Sequence, residues 1–517
     1  MPALVHQGAS APCGLARLES SQLGTDYSTN VLSCSFNKHR VFRHKIGNQG
    51  GMLTSENSEF LVSDSPDFHP TDVFEDADGS VLVINTGGWY KICCPTSQFY
   101  RPEVLGAIYR VRKIGSHHEN DARGKTIDWG QKSPAELVSL LADKRFAVRN
   151  RARKRLGELG AISVPALKDG LSKLKNDQQR LQVVWAMCQN SSAAARQAIH
   201  LALDDSNETV VHAALHSISL MFDKTAAEAI RQHFASFSAY NRRIAAECLG
   251  RIGNSEDIPL LLNSLTTETD RALEHSIIFA CIELGEVDAI RSLLSSTNVA
   301  TVRGALIALD QIPGDHLESD DALAAIGADN QAMQDTGWWL LDHHPTWAAG
   351  LTDYFERAIK QNNVPIDARQ QLQQRLNHYI NTPEILTMVG QLFQSNEASV
   401  EAFLLSAISS TKLTTIPESI TDGIYQSLQT SKTDNLLLAV NAARAIRGEK
   451  DHHQLEARLL SLFQDSQNPA EIRLAALNAI RPTARPLTSK TIIEIRDYAA
   501  ASQPLQLLSL IHISEPT

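Results

Sequence analysis

Hydrophobic and polar positions follow two different patterns along this chain. Up to about residue 112, apolar residues come in short runs separated by Gly, Pro, Asn and Asp, which is typical of β-strands joined by turns. From about Ser133 onward Gly and Pro become rarer, and apolar residues recur at the i, i+3, i+4 and i+7 spacing of a helix face. The sequence therefore predicts a β part followed by a longer helical part.

The clearest β pattern lies in residues 67–112. Residues 69–74 predict an extended strand, because the residue before Pro70 is kept out of the helical region. Residues 76–79 supply a turn, and 81–84 are a β-branched and leucine run, so the two segments predict a β-hairpin. Residues 106–112 alternate in polarity and predict one more strand of the same sheet.

A weaker copy of this strand order precedes it, in residues 11–15, 30–35 and 38–44. The order of strands and turns is that of a blade in a β-propeller. A propeller typically closes with about four to eight blades, so two blades predict the end of a propeller whose other blades lie elsewhere or are missing.

The helical part repeats at an interval of about 31 residues, which is typical of a helical solenoid. An apolar pair and a polar residue, followed by Val or Ile and a small Ala, recur at residues 140–152, 201–214, 293–305 and 462–475. We interpret the leucines as the end of the second helix of each pair. This pattern, with 155–160 and 250–253, resembles HEAT repeats, and roughly ten helix pairs would fit the remaining length.

Composition narrows the classes of function. The 517 residues predict two or more domains, and 48 Lys+Arg against 58 Asp+Glu give a formal charge of −10. A nucleic-acid partner is not expected, because no long basic block appears. No apolar run is long enough to span a bilayer. The seven cysteines form no CxxC or CxxCH motif, so neither a zinc site nor a covalent haem site is expected.

Five segments of the β part carry a resemblance to a known family: SAPCGL (10–15), DFHPTDV (67–73), EDADGSVLVINTGGW (75–89), CPTS (94–97) and LGAIYRVRK (105–113). In this order they resemble the end of the propeller in membrane-bound dehydrogenases of planctomycetes and related bacteria. Those proteins are similar to the pyrroloquinoline-quinone (PQQ) glucose and sorbosone dehydrogenases. In that family the propeller precedes helical repeats and often a cytochrome c domain, and the protein is exported.

The resemblance implies a fragment of an exported, periplasmic sugar or alcohol dehydrogenase. It implies PQQ and calcium in the full-length protein, and haem c only if a C-terminal domain is missing here. This chain alone is expected to be inactive, because an open propeller cannot hold a cofactor at its axis. The alternative is a non-catalytic propeller–solenoid scaffold that binds a protein or a polysaccharide on its solenoid surface.

Together, the patterns and the resemblance predict four segments along the chain. Residues 1–112 are the last blades of a β-propeller, 113–132 a polar linker and 133–507 a HEAT-like α-solenoid. Residues 508–517, LSLIHISEPT, break the helical pattern and resemble the translation of a transposon adapter used in sequencing libraries. We therefore expect a tail that is not part of the fold.

His69 and Asp72 are the catalytic candidates. In a propeller the inner strand ends face the central channel, and a His near an Asp could serve as general base towards a sugar hydroxyl. The alternative is that His69 hydrogen-bonds a neighbouring blade. No residues are assigned to cofactor binding, and none to a metal.

Other candidates have structural alternatives. Asp76 and Asp78 echo the start of a calcium loop but also suit a hairpin turn. Cys93–Cys94 could form a vicinal disulfide or be two structural thiols. Trp338, Trp339 and Trp347 could be a recognition patch or packing between repeats. The pairs 343–344 and 452–453 are histidines expected in loops or solvent rather than metal sites.

Overall fold

The computed structural model describes residues 3–88, 103–116, 119–361, 365–395, 397–430, 433–447, 455–481 and 493. The chain divides into two compact units, Met1–Leu317 and Glu318–Thr517. The first unit contains two small β-sheets and a set of helix pairs. The regular structure described in the second unit is helical.

In the described ranges, seven strands form two antiparallel sheets. The first sheet has the order β1 (Pro12–Arg17), β2 (Val31–Ser35), β3 (Arg40–Gln49), β4 (Met52–Val62). The second has the order β5 (Pro70–Glu75), β6 (Val81–Asn85), β7 (Ala107–Val111). The predicted hairpin forms between β5 and β6, where Gly79 takes a φ of 79° and its N–H donates to the Asp76 carbonyl at 2.8 Å.

The prediction of propeller blades is wrong. Propeller blades are separate sheets around a central channel, whereas here β1 and β2 pack against β5. Leu32 and Val41 of the first sheet share one small core with Val73 and Val83 of the second. The described strands therefore form two small sheets that bury their apolar sides together. The alternation of apolar residues is the same in both arrangements, so it could not distinguish them.

The sequence predicted only part of the strand pair β3–β4, and this pair is longer than a propeller blade requires. It turns at Gly50 and Gly51, where Gly50 has a φ of 59°. Beyond residue 44, most of its side chains are exposed on both faces. We call residues 45–57 the ribbon, because this part projects beyond the sheet as a two-stranded arm.

Twelve α-helices of the first unit follow in pairs. They are α1 (Pro134–Leu140), α2 (Phe146–Glu158), α3 (Val164–Lys173), α4 (Asp177–Cys188), α5 (Ala193–Ile199), α6 (Glu208–Met221), α7 (Ala227–His233), α8 (Ala239–Ile252), α9 (Asp257–Asn263), α10 (Arg271–Leu284), α11 (Val287–Ser292) and α12 (Val299–Gln311). Even-numbered helices, here called B helices, pack in order from α2 to α12, and the odd-numbered A helices form a second layer. The predicted solenoid is confirmed.

The repeat is visible in the residues that begin the B helices. The N-cap side chains of α4, α6, α8, α10 and α12 each accept a backbone N–H, and they recur about every 31 residues: Asn176, Asn207, Ser238, Asp270 and Asn298. The predicted phase is shifted by one helix. Leu140 ends α1, the first helix of its pair, whereas Val148 and Ala152 belong to the second and are fully buried.

Residues 119–132 have no regular helix or strand but pack on the first repeat. Trp129 is buried, its Nε1 donates to the Gly124 carbonyl at 2.8 Å, and the Arg151 guanidinium lies 4.6 Å from the ring centroid. This segment covers the apolar side of α2 that no preceding repeat covers.

The second unit contains α13 (Ser319–Ile326), α14 (Gln331–His343), α15 (Thr352–Lys360), α16 (Ile366–Tyr379), α17 (Pro383–Leu392), α18 (Ala398–Ser409), α19 (Glu418–Thr430), α20 (Thr433–Ala445), α21 (Leu455–Gln464) and α22 (Ala470–Ala479). Short 3-10 helices lie at Thr25–Tyr27, Phe36–Lys38, Gly160–Ser163, His200–Asp204, Lys224–Ala226, Leu293–Ser295, Pro345–Leu351 and Phe393–Ser395. The predicted tail, 508–517, lies outside the described residues.

Candidate functional site

The two catalytic candidates lie three residues apart but do not form a pair. The half-buried His69 holds its Nδ1 2.7 Å from the Gly87 carbonyl oxygen, and its ring stacks on Phe36 with centroids 4.4 Å apart. Asp72 is exposed, and its Oδ1 accepts the Val73 N–H at 2.9 Å. In the part of the chain that the structure describes, no hydrogen bond joins the two side chains. A general-base role for His69 stays a prediction.

The turn carboxylates Asp76 and Asp78 are held by arginines. Asp76 accepts from Arg110 at 2.9 Å and from Arg123 at 2.5 Å, and Asp78 accepts from Arg112 at 2.7 Å. Desolvation alone would raise the pKa of Asp76, but the hydrogen bonds from Arg110 and the Ala77 N–H and the charge of Arg123 together outweigh it, so the pKa is lowered. Among the described residues, no group of three or more His, Cys, Asp or Glu could hold a metal ion. These contacts fit a hairpin turn and not a calcium loop.

The tryptophan cluster of the second unit is mostly packing. Trp338 is buried against Tyr354 and Tyr379, and the Arg375 guanidinium lies 4.6 Å from the Trp338 ring centroid. The neighbouring rings Trp339 and Trp347 lie against His343 and His344 respectively. The other two pairs singled out in the sequence, 93–94 and 452–453, lie outside the described residues.

The second unit has a cavity of about 550 Å³ between the ends of α14 and α16. Asp342 accepts the Tyr379 hydroxyl at 2.6 Å, and its carboxylate lies 3.4 Å from His378 Nε2. Burial, and then the bond to Asp342, raises the pKa of Tyr379 above its usual value. The phenol therefore stays protonated at neutral pH and serves as a hydrogen-bond donor in this corner.

A half-buried carboxylate joins the two sheets of the first unit to its helices. Glu75 accepts the backbone N–H groups of Glu19, at 2.5 Å, and Ser20, at 3.1 Å. The Glu19 carbonyl in turn accepts from Arg149 at 3.1 Å, and its carboxylate accepts from Asn150 at 3.3 Å. Desolvation raises the pKa of Glu75 despite these bonds. The link from β5 through Glu19 to α2 fixes the sheets against the first repeat.

A cleft of about 520 Å³ opens beside this link, and we call it the junction cleft. One wall is the end of β1 and the turn that follows it, and the other is formed by the first two repeats. Its polar lining comprises Arg17, Glu19, Ser28 and Thr29 on the sheet side, and Asp143, Lys144, Arg149, Asn176, Gln178, Gln179 and Gln182 on the helix side. The volume lies in the range of about 300–1,000 Å³ found for ligand pockets.

The available charge in the junction cleft is positive. Asp143 is held by Arg145 at 2.7 Å, and Glu19 is held by Asn150. Lys144 forms one ion pair, with Glu119 at 3.1 Å, and its side chain is 78% exposed. The Arg17 side chain has no hydrogen-bond or ion-pair partner within the described ranges, although its backbone pairs with Val31 in the sheet. The Asp143 charge is therefore balanced by Arg145, the Glu19 carboxylate is hydrogen-bonded to a neutral amide, and the lining also carries the cations Arg17, Lys144 and Arg149.

A row of large side chains crosses the B-helix layer next to the cleft. The ninth residue after the N-cap is Trp185 in α4, His216 in α6, Glu247 in α8 and Phe279 in α10. Because equivalent positions of successive repeats lie on the same face, these residues line up along the layer. The Trp185 and His216 rings meet edge to face at 6.2 Å, and Phe279 is 47% exposed.

A second pair of rings adjoins this row at the start of α6 and α8. His212 stacks on Tyr240 with centroids 4.2 Å apart, and its Nδ1 lies 3.3 Å from the Asn241 side-chain oxygen. Desolvation, and then the charge of Arg243, lowers the pKa of His212 to about 4. Together, Trp185, His212, His216, Tyr240 and Phe279 form what we call the aromatic stripe.

The ribbon reaches the same B-helix layer at α10. The Gly51 N–H donates to Asp270 Oδ2 at 2.8 Å, while Oδ1 of the same carboxylate caps α10 through Ala272 and Leu273. A Cβ at Gly51 would lie 3.1 Å from the Asp270 carboxylate and 3.3 Å from Leu273, so the close approach depends on glycine. The first sheet is thus anchored to α2 at its base and to α10 at the ribbon tip.

Sequence reasoning missed both surfaces, although each leaves a signal. Extending the 31-residue repeat from the leucine motif to the large residues Trp185, His216 and Phe279 would have found the stripe. The run RFAVRNRARKR at 145–155 marks α2 as strongly cationic beside the junction cleft. Neither signal reveals that residues 17–29 lie against α2 and α4, because that contact depends on the packing of distant segments.

Comparisons with known proteins add little to this picture. No family model matches the chain, and no curated protein matches its sequence. The karyopherin Kap121p, solved bound to the extreme C-terminus of the protein phosphatase Cdc14p, is 15% identical over 67% of this chain and 45% of its own, with a TM-score of 0.36. The complex of CpcE and CpcF of phycocyanin lyase from Nostoc sp. PCC7120 is 19% identical over 51% of this chain and 99% of its own, with a TM-score of 0.25.

An engineered protein is 15% identical over 68% of this chain and 98% of its own, with a TM-score of 0.26. TM-scores this low carry no argument about function. None of the helices in the described ranges combines the length and apolar character that crossing a membrane requires.

Proposed function

We propose that this chain is a non-catalytic binding scaffold that holds a protein partner on the B-helix layer of its first unit. The observation that carries the proposal is the aromatic stripe. Trp, Tyr and Arg are the side chains enriched where binding energy concentrates in protein interfaces. Here Trp185 of α4 and Tyr240 of α8 lie on the two B helices that flank α6, and the Arg243 guanidinium lies 5.9 Å from the Tyr240 ring centroid.

The stripe suits a protein partner better than a polysaccharide. Sugar rings need an open aromatic face, whereas Tyr240 has His212 stacked 4.2 Å away on one face, and Trp185 meets His216 edge to face. The exposed apolar edges, with Phe279 and the cations of α8, present the mixture of apolar and polar contacts typical of protein interfaces. A repeat surface of this kind binds an extended partner along its length.

Site-specific photo-crosslinking tests the proposal. A benzophenone amino acid replaces Gln182 or His216 on the B-helix layer, and Lys168 or Leu201 on the A-helix side as matched exposed controls. We expect one discrete adduct with a protein of the source organism from the B-layer positions only. The purified partner must then bind the unmodified chain, and Trp185→Ala together with Tyr240→Ala should weaken that binding at least tenfold.

Equal crosslinking from both helix layers, or binding that ignores the double substitution, would refute the scaffold proposal. A polysaccharide that binds the chain and protects the stripe from crosslinking would replace the protein partner in it.

The dehydrogenase function, its export and its PQQ, calcium and haem c stay predictions that rest on sequence resemblance. No described residue set fits calcium, and no position is assigned to the quinone, so no reaction step is derived through them. The direct assay is dye reduction by the full-length protein with calcium and PQQ on a panel of sugars. No reduction across the panel would remove the enzyme hypothesis.

A further inference from the structure

We infer that the junction cleft binds an extended acidic segment of the partner protein, and this inference rests on the proposed function. The cleft adjoins the B-helix layer through Gln182 of α4, whose Oε1 accepts from Arg153 of α2 at 2.8 Å. The cleft is thus a deeper site at one end of the surface that carries the aromatic stripe.

The amide side chains of the cleft match a polypeptide backbone. Each Asn or Gln offers both a donor and an acceptor, the same pair of groups that every peptide unit carries. The side chains of Gln178 and Gln179 have no hydrogen-bond partner in the described part of the chain. An extended segment leaves its own N–H and C=O groups unpaired, so it can satisfy these amides along the helix wall.

Two cations on opposite walls of the cleft favour a segment that carries negative charge. The Arg17 side chain on the sheet side is unpartnered in the described ranges, and Lys144 on the helix side has only the exposed pair with Glu119. Exposed pairs of this kind contribute little and exchange readily. A carboxylate entering the cleft therefore gains two cationic partners, while the resident carboxylates Asp143 and Glu19 are already engaged.

Two half-buried arginines of α2 reinforce this preference: Arg149 lines the cleft, and Arg153 donates to the lining residue Gln182. The Arg149 side chain donates to the carbonyls of Asp143 and Glu19, and burial lowers its pKa relative to a free arginine. Arg153 Nε is buried without a hydrogen-bond partner within the described residues. Partly desolvated guanidinium groups favour a carboxylate nearby, in addition to the charges of Glu19 and Asp143 that already act on Arg149.

A peptide is a better occupant than a nucleic acid. A nucleic acid binds through a row of many phosphate contacts, whereas the cleft has two available cations and the chain carries a formal charge of −10. The cleft offers several side-chain amides and only a few cations. This composition suits a peptide whose backbone bonds to the amides and which carries an occasional carboxylate.

Fluorescence anisotropy tests the inference with the whole chain. The probes are a fluorescein-labelled decapeptide of alternating Glu and Ser, the same peptide with Gln for Glu, and a decamer of thymidylate. The variant Arg17→Glu/Lys144→Glu reverses both cations, and Lys168→Glu/Lys173→Glu on α3 makes the same change in charge away from the cleft. Circular dichroism confirms that both variants are folded.

We expect the acidic peptide to bind at least tenfold more tightly than the neutral peptide, and the Arg17→Glu/Lys144→Glu variant to lose at least tenfold in affinity. The α3 variant should change this affinity by less than threefold, and Gln178→Ala/Gln179→Ala should weaken the binding of both peptides.

No binding of the acidic peptide, equal loss in the two charge variants, or tighter binding of the thymidylate decamer would overturn the inference. If crosslinks at His216 persist in that case, the scaffold proposal survives; if they are absent too, both fail.

Discussion

His212 is the residue whose protonation most directly reports on the B-helix layer. Its ring lies between α6 and α8, stacked on Tyr240, and Arg243 lies on the same side. Desolvation and the charge of Arg243 lower its pKa to about 4, so the ring is neutral at physiological pH and accepts or donates only as a neutral imidazole.

Acidification should therefore destabilise the α6–α8 contact. The unfolded chain takes up a proton on this histidine as the pH falls below about 6.5, whereas the folded chain resists it until about pH 4. Stability is present above the unfolded pKa and is lost as the pH falls between these values. We expect a loss of about 2 kcal/mol after allowance for the partial exposure of the ring.

Two measurements check this prediction. Titration of ¹³C-labelled histidines by NMR should show one ring that stays neutral down to about pH 4, and His212→Gln should remove that signal. After correction for the intrinsic pH dependence of amide exchange, the protection of α6 and α8 should be lower at pH 4.5 than at pH 7 in the native chain and depend less on pH in the variant. A ring at position 212 that titrates near its ordinary pKa would contradict the burial argument.

At the scale of elements, the ribbon is the feature that links distant parts of the first unit. The first sheet, from which the ribbon projects, is fixed by the contacts of Glu19 with α2, and the tip of the ribbon is fixed by the Gly51 bond to Asp270 on α10. Because solenoid repeats contact mainly their neighbours, a connection from the first repeat to the fifth B helix restrains motions that the helix stack alone permits. The ribbon therefore acts as a brace along the stack.

The Asp270→Ala variant should release this brace. It removes the α10 N-cap, which costs about 1 kcal/mol, and it also removes the only acceptor seen for the Gly51 N–H in the described structure. Hydrogen exchange should become faster in residues 45–57 as well as in the first turn of α10. Asn298→Ala is the matched control, since it removes the N-cap of α12 without touching the ribbon.

An unchanged exchange rate in the ribbon of the Asp270→Ala variant, or an equal increase in the control, would show that the tip is held by other contacts.

The sequence predicted elements better than their arrangement. The strands at 70–75 and 81–85 and the hairpin between them follow from local alternation and from Gly79, and all three form. Strand β4 was missed because SENSE at 55–59 offers no apolar face, although Gly50 and Gly51 marked its turn. The propeller was wrong because the same alternation satisfies any sheet that buries one side.

The junction cleft is harder to predict from the sequence than the strands and the hairpin are. Its two walls come from residues 17–29 and 141–182, and their contact depends on the half-buried Glu75 and on Glu19, neither of which stands out as a motif. The aromatic stripe is intermediate in this respect. Its spacing is local information, but its meaning depends on knowing which helix layer faces the solvent.

At the scale of the whole molecule, the two compact units should respond separately to damage in their cores. Each unit has its own helical core positions. Leu215 in α6 of the first unit and Leu404 in α18 of the second unit are both fully buried. In a repeat array, stability is close to a sum of repeat and nearest-neighbour contributions, so a lost core side chain weakens its own repeat and those beside it.

We therefore expect Leu215→Ala to cost about 2–5 kcal/mol locally and to speed hydrogen exchange from α4 to α8, with little effect on α18 to α22. Leu404→Ala should do the reverse, and it is the matched control because the same group is removed from an equally buried site. Crosslinking at His216 gives a functional readout of the same experiment. It should fall in Leu215→Ala and persist in Leu404→Ala, because the proposed partner binds the first unit; loss in both variants would instead require the second unit for binding.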